Sequence, residues 1–149
     1  MNAQAIKQML STIVPFVKTV GLTIDDVGEG TAVASLASRT EVHNHLGTVH
    51  AGALYTVGES ASGAVVLGLF MDLLPGRAFI ALQSATVKHT KARAGDLVAT
   101  ATLVGNAAEV RAGFDADGKA DFDVDVVFAV DGTEVANVTY RWSARTPRA

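Results

Sequence analysis

Glu59 is the one charged residue in the stretch Ala51 to Phe70, AGALYTVGESASGAVVLGLF. An ionised carboxylate left unpaired in apolar surroundings costs several kcal/mol. It must therefore be protonated, paired with a Lys or Arg from elsewhere, or set at a cleft where its charge does acid-base or nucleophilic chemistry. Nothing else in the stretch satisfies it, which favours the cleft. Immediately upstream runs HNHLGTVHAG, residues 43–52, rich in side chains that donate, accept and titrate near neutrality. His50 falls where a helix would begin, with free backbone N–H groups and the positive end of the dipole. The amides of Ala51 and Gly52 suit a polarised carbonyl or an oxyanion there. The competing role for Asn44 or His50 is that of a plain helix cap. Nine positions separate His50 from Glu59, about 13.5 Å of helical rise and about 180° of rotation. One helix cannot bring Glu59 to its own N-terminal amides. If the two form one site, the His50 loop comes from a second copy, most simply in an isologous dimer.

The elements that must hold these residues follow from the pattern. The stretch Ala51–Phe70 is long enough for a membrane span and too long for a strand. Its glycines, serines and Glu59, and the strand-like segments after it, make it a helix buried in the middle of a core. Residues 1–20 read as an N-terminal amphipathic helix on Ile6, Met9, Leu10, Ile13, Phe16, Val17 and Val20, ended by Gly21. They lack the cationic start and cleavage site of a signal peptide, so the expected compartment is the cytoplasm. Strands are expected over Leu22–Val27, Thr31–Ala37, Arg77–Thr90, Asp96–Val104, Ala120–Val130 and Glu134–Arg145. Asp131-Gly132 signals a hairpin between the last two, and Asn106–Phe114 an irregular or short helical link. A sheet curled round one helix buries that helix most economically, giving an α+β fold.

With 149 residues the chain is one domain, 1–149, and 49% hydrophobic residues exclude disorder. Twelve Lys+Arg against 15 Asp+Glu, net charge −3, argue against nucleic acid, and neither a nucleic-acid nor a membrane partner is expected. Having no Cys, the chain has no disulfide, thiolate zinc site or cysteine nucleophile.

The string Asn44-His45-Leu46-Gly47-Thr48-Val49-His50-Ala51-Gly52, followed by Glu59, resembles the N-x-x-G-x-x-H-G-G…D pattern of hotdog-fold acyl-CoA thioesterases. Within them it is similar to the phenylacetate-degradation, PaaI-like type. The resemblance implies a curved antiparallel sheet wrapped around the 51–70 helix and a homodimer or homotetramer. It implies an acyl-CoA or related acyl-thioester substrate, with coenzyme A as part of that substrate and no separate cofactor or metal. Glu59 would be general base or nucleophile, His50 and the Ala51 amide would polarise the thioester carbonyl, and Asn44 would orient water or the carboxylate. Gly47 and Gly52 would border the substrate. Lys88 and Arg93, from the cluster Lys88, His89, Lys91, Arg93, would meet coenzyme A phosphates if they are more than surface charge. Two departures stand out: Glu59 replaces Asp, and Ala51 replaces the first Gly. For a strand Ser or Thr used by some relatives, Ala81, Gln83 and Ser84 are the local candidates. The same scaffold also hosts non-catalytic acyl or small-ligand binders, which is the alternative function.

Weaker patterns remain. His43, His45 and His50 have the look of a metal-ligand cluster, but the cupin motif they echo needs strands where a helix is expected here. His45 and Glu59 resemble the loop His and helix Glu of β-hydroxyacyl dehydratases, without the proline-rich loop of those enzymes. Asp115 to Asp121 has Gly at the wrong offset for a calcium loop. Asp121, Asp123 and Asp125 alternate with apolar residues as the solvated face of a strand. Tyr55 reads as core.

Overall fold

The computed structural model describes residues 3–147. Helix α1, Ala3–Ile13, buries Ile6 and Leu10. It stops at Val14, and α2, Pro15–Val20, begins on Pro15, whose missing N–H costs nothing at a first helical position. Gly21 closes α2 in the left-handed conformation at φ 72°, its N–H donating to Val17 O at 2.8 Å. The single helix expected over 1–20 is thus two, because proline cannot continue the first; Met1 and Asn2 lie outside the described residues.

Six strands follow: β1 Thr23–Gly28, β2 Thr31–Leu36, β3 Phe79–His89, β4 Leu97–Leu103, β5 Lys119–Val130 and β6 Thr133–Arg145. They form one antiparallel sheet in the order β1-β2-β4-β5-β6-β3. The β5–β6 turn has Asp131 at φ 48° and Gly132 at φ 72°, the two positive values that a tight hairpin needs and that this dipeptide tolerates. Strand β4 buries every second residue, Leu97, Ala99, Ala101 and Leu103, so one face of the sheet is core.

That face wraps α3, Ala51–Phe70, which packs on β1, β2, β4 and β5. Its length and apolar composition would suffice to cross a membrane; here its core-facing residues, Val57, Ala61, Ala64 and Val65 among them, are buried inside the sheet. Gly58 permits the close approach: a Cβ there would stand 2.4 Å from Phe128 Cζ and 2.5 Å from Tyr140 Oη. The α+β fold expected from the pattern is present. The Asn106–Phe114 link, however, is a full helix, α4, Ala107–Asp117. Asn106 caps it, accepting from the N–H groups of Ala108 and Glu109 at 2.8 and 3.3 Å. Arg111 ties it to the end of α3 through a bidentate pair with Asp72, both bonds 2.8 Å, and through Leu69 O. Asp121 and Asp123 lie on the outer sheet face as expected, paired across the strands with Arg145 and Arg141.

Candidate functional site

Glu59 borders a cavity of about 370 Å³. The helix α1 supplies one wall through Leu10, Ile13 and Val14, and Phe79 and Trp142 close others. The carboxylate is half-buried and, among the described residues, has neither a hydrogen bond nor an ion pair. Burial raises its pKa above the ordinary carboxylate value. The backbone beneath it is braced, since Ser62 Oγ donates to Glu59 O at 2.9 Å and receives Trp142 Nε1–H at 3.2 Å. One turn earlier on the helix stands Tyr55, whose own pKa is raised by burial first and by the Glu59 charge second. Tyr140, fully buried, donates its hydroxyl to Tyr55 O at 2.8 Å and locks α3 to β6 there.

The other sequence-marked residues gather at the N-terminus of α3. His50 caps it: its Nδ1 accepts the Gly52 N–H at 2.9 Å. A backbone N–H can only donate, so the proton of neutral His50 sits on Nε2, which becomes a donor. The Gly52 amide is thereby occupied, while those of Ala51 and Ala53 have no partner among the described residues. Asn44 shapes the preceding loop. Its Oδ1 accepts from Leu46 N–H at 2.9 Å and from Thr48 N–H and Oγ1–H at 3.2 Å, and its Nδ2 meets Thr48 Oγ1 at 2.9 Å. Gly47 turns that loop at φ 71°. His50 and Gly52 border a second hollow of about 510 Å³, walled by Phe16 and Val20 of α2 and by Arg39.

One protomer thus assembles Asn44, Gly47, His50, Ala51 and Gly52 at one place and Glu59 at another, each beside its own cavity. Asn44 spends its carbonyl oxygen inside the loop, so only a remaining N–H is left for a water or carboxylate. Arg93 reaches the rim of the loop beside Thr48 and Val49, together with His89 and Lys91, and pairs with Asp131 at 3.4 Å. Lys88, one residue off and therefore facing the other way on β3, does not join them. Among Ala81, Gln83 and Ser84, none lines the Glu59 cavity; Ile80 does, and Gln83 is the extra residue of a β-bulge. His43, His45 and His50 do not converge, and His43 Nε2 lies 2.8 Å from Ser38 Oγ instead. Asp115 pairs with Arg111, and Gly118 is the left-handed residue ending α4.

Sequence reasoning missed Ser60 and the α1 wall. Ser60 is buried beside Glu59 with no partner for its hydroxyl among the described residues. Its signal was available, as a second polar residue next to the lone carboxylate in an apolar helix. That α1 folds over the cavity had no local signal.

Comparison with known proteins supports the architecture. A Pseudomonas aeruginosa protein of unknown function, described as a "Probable Thioesterase", superposes with a TM-score of 0.82 at 20% identity, covering 99% of this chain and 97% of that one. A Chlorobaculum tepidum protein of unknown function superposes at 0.83 and 17% identity, over 97% of this chain and 94% of that one. A mutant of the phenylacetic acid degradation protein PaaI from Thermus thermophilus gives 0.65 and 20%, over 89% and 99%. No curated protein matches the chain in sequence. These likenesses, with the sheet order and central helix, establish the hotdog fold expected from the Asn44–Glu59 motif. Matched over residues 2–144, the chain belongs to the family described as a domain of unknown function, DUF4442.

Proposed function

We propose that this chain hydrolyses an acyl thioester, an acyl-CoA in the first instance, at a site shared by two copies in a homodimer or a tetramer. The observation that carries the reading is the Glu59 carboxylate, desolvated at the edge of an apolar cavity with no cation to pair it among the described residues. A purely structural carboxylate would have been given a partner. Glu59 of one protomer would take a proton from water as the water oxygen bonds to the thioester carbon. The carbonyl electron pair then moves onto oxygen, where the Ala51 N–H and the His50 Nε2–H of the other protomer receive the charge. Collapse breaks the C–S bond, Glu59 returns its proton to the leaving sulfur, and a carboxylic acid and a thiol are released. Direct attack by Glu59, forming an anhydride that water then opens, gives the same products. Asn44 contributes by holding the loop that presents His50. Coenzyme A enters as part of the substrate, and the scheme needs no metal or cofactor. The expected compartment is the cytoplasm.

The test is free-thiol release from a panel of acyl-CoAs by the native chain and by Glu59→Gln, which keeps the shape and removes the charge. Cleavage by the native protein and its loss in a folded variant support the reading. No cleavage of any member, with acyl binding retained, replaces it with the non-catalytic binder on the same scaffold.

A further inference from the structure

Helix α3 carries three Ser and Thr hydroxyls, and they are treated differently. Thr56 Oγ1 donates back to Gly52 O at 2.8 Å and Ser62 Oγ to Glu59 O at 2.9 Å, the usual resort of a hydroxyl inside a helix. Ser60 does neither. It is 3% exposed, its Oγ has no hydrogen-bond partner among the described residues, and the residue lines the same apolar cavity as Glu59. A buried hydroxyl without a partner forfeits its hydration and gains nothing in return, unless something else brings the missing partner.

We infer that Ser60 is a specificity-determining residue, and that the cavity under α1 takes an aliphatic acyl chain bearing one oxygen near its thioester end. This rests on the hydrolase reading for the identity of the reacting end, though the cavity itself does not. Three observations fix the class. The walls are apolar, from Leu10, Ile13 and Val14 of α1 to Phe79 and Trp142, so most of the occupant is hydrocarbon. The volume of about 370 Å³ holds about a dozen water-sized groups at roughly 30 Å³ each, which suits an acyl chain of about ten carbons. Ser60 follows Glu59 by one residue, about 1.5 Å of rise and roughly 100° of rotation, and both line the cavity, so an oxygen it meets lies within the first few carbons from the carbon that Glu59 addresses. A hydroxyl on that stretch, as in a 3-hydroxyacyl group, can give or take the bond. A plain alkyl chain leaves Ser60 orphaned, and a site built around a polar group rejects the analogue that lacks its mate.

The experiment compares 3-hydroxydecanoyl-CoA with decanoyl-CoA on the native protein and on Ser60→Ala. The native protein should favour the hydroxylated substrate by about tenfold in kcat/KM, one hydrogen bond's worth, and Ser60→Ala should bring the ratio near unity. Thermal unfolding of Ser60→Ala should be unchanged or higher, because the substitution removes an unsatisfied group. An equal ratio in both proteins, or a destabilised variant, overturns the inference. Calorimetry with the free acids, 3-hydroxydecanoic against decanoic, separates it from the reaction. If no thioester is cleaved yet the hydroxy acid binds more tightly in a Ser60-dependent way, the hydrolase reading falls and the cavity assignment stands. If the acids bind equally, or neither binds, the assignment falls whatever the thioester assay shows.

Discussion

At its N-terminus α3 is closed by its own chain: His50 caps the Gly52 amide, Asn44 ties down the loop behind it, and Gly47 makes the turn. About two and a half turns further on, Glu59 and Ser60 present a carboxylate and a hydroxyl that nothing among the described residues satisfies. The first region is polar, exposed and braced by its own side chains, with the Ala51 N–H still free among the described residues. The second is apolar, half-buried and incomplete. Polar groups are cheap to finish locally at a helix end, where caps exist, and costly to leave unfinished in a core. Ser60 is the buried group left without a partner among the described residues, and it stands beside a half-buried carboxylate at the edge of a cavity, the arrangement on which the proposed ligand site rests.

The contrast can be broken at either end. The largest effect should come from Glu59→Gln, which is expected to lower thiol release by about 10²–10⁴-fold while the variant stays folded. His50→Ala should cost about 10²–10³-fold through the lost donor, and about 1 kcal/mol of stability through the lost cap. His50→Asn separates the two effects: Asn caps well, so denaturant unfolding should return toward native while activity stays low. Gly58→Ala probes the scaffold between the regions. Its Cβ would collide with Phe128 and Tyr140, both fully buried, and chemical denaturation should show a loss of about 1–3 kcal/mol.

The smallest effect is the most diagnostic of environment. Burial on folding raises the Glu59 pKa above the ordinary carboxylate value, so the folded state holds that proton more firmly than the unfolded chain does. Stability from this group is full below the unfolded value and is lost as pH rises through the higher folded value. Glu59→Gln should therefore match the native protein in acid and become the more stable of the two toward neutrality. If Glu59 is the base, the acid limb of the activity profile should also sit above the ordinary carboxylate range.

Much of the positioning was legible in the residues. The lone charge in an apolar stretch identified α3 and Glu59 together, and Asp131-Gly132 marked its hairpin because few other dipeptides tolerate its backbone. The nine-residue spacing placed His50 and Glu59 on opposite sides of one helix, and they do border different cavities. Other features were not local. Pro15 was visible, but the break it causes at Val14 was overridden by a periodicity that continues across it. Helix α4 is capped locally by Asn106 and Gly118, but the Arg111 grip that anchors it reaches Asp72 and Leu69 O, 39 and 42 residues away in sequence, which no window reveals. Lys88 and Arg93 share a cluster in sequence but part in the fold, because β3 ends at His89 and Arg93 falls in the loop beyond it. The Asn44 carboxamide reads equally as a water-holder or a loop brace, and only the folded loop shows its oxygen already engaged.

The claim on which the account turns is that Glu59 works with the His50 end of another copy. Subunit exchange between His50→Ala and Glu59→Gln tests it in one assay, since each variant lacks one half of every site and a mixed dimer has one site intact. With random exchange half the dimers are mixed, so the mixture should regain about a quarter of native thiol release. A mixture that exchanges subunits freely, as read by mass spectrometry, yet stays as inactive as its parents would contradict it.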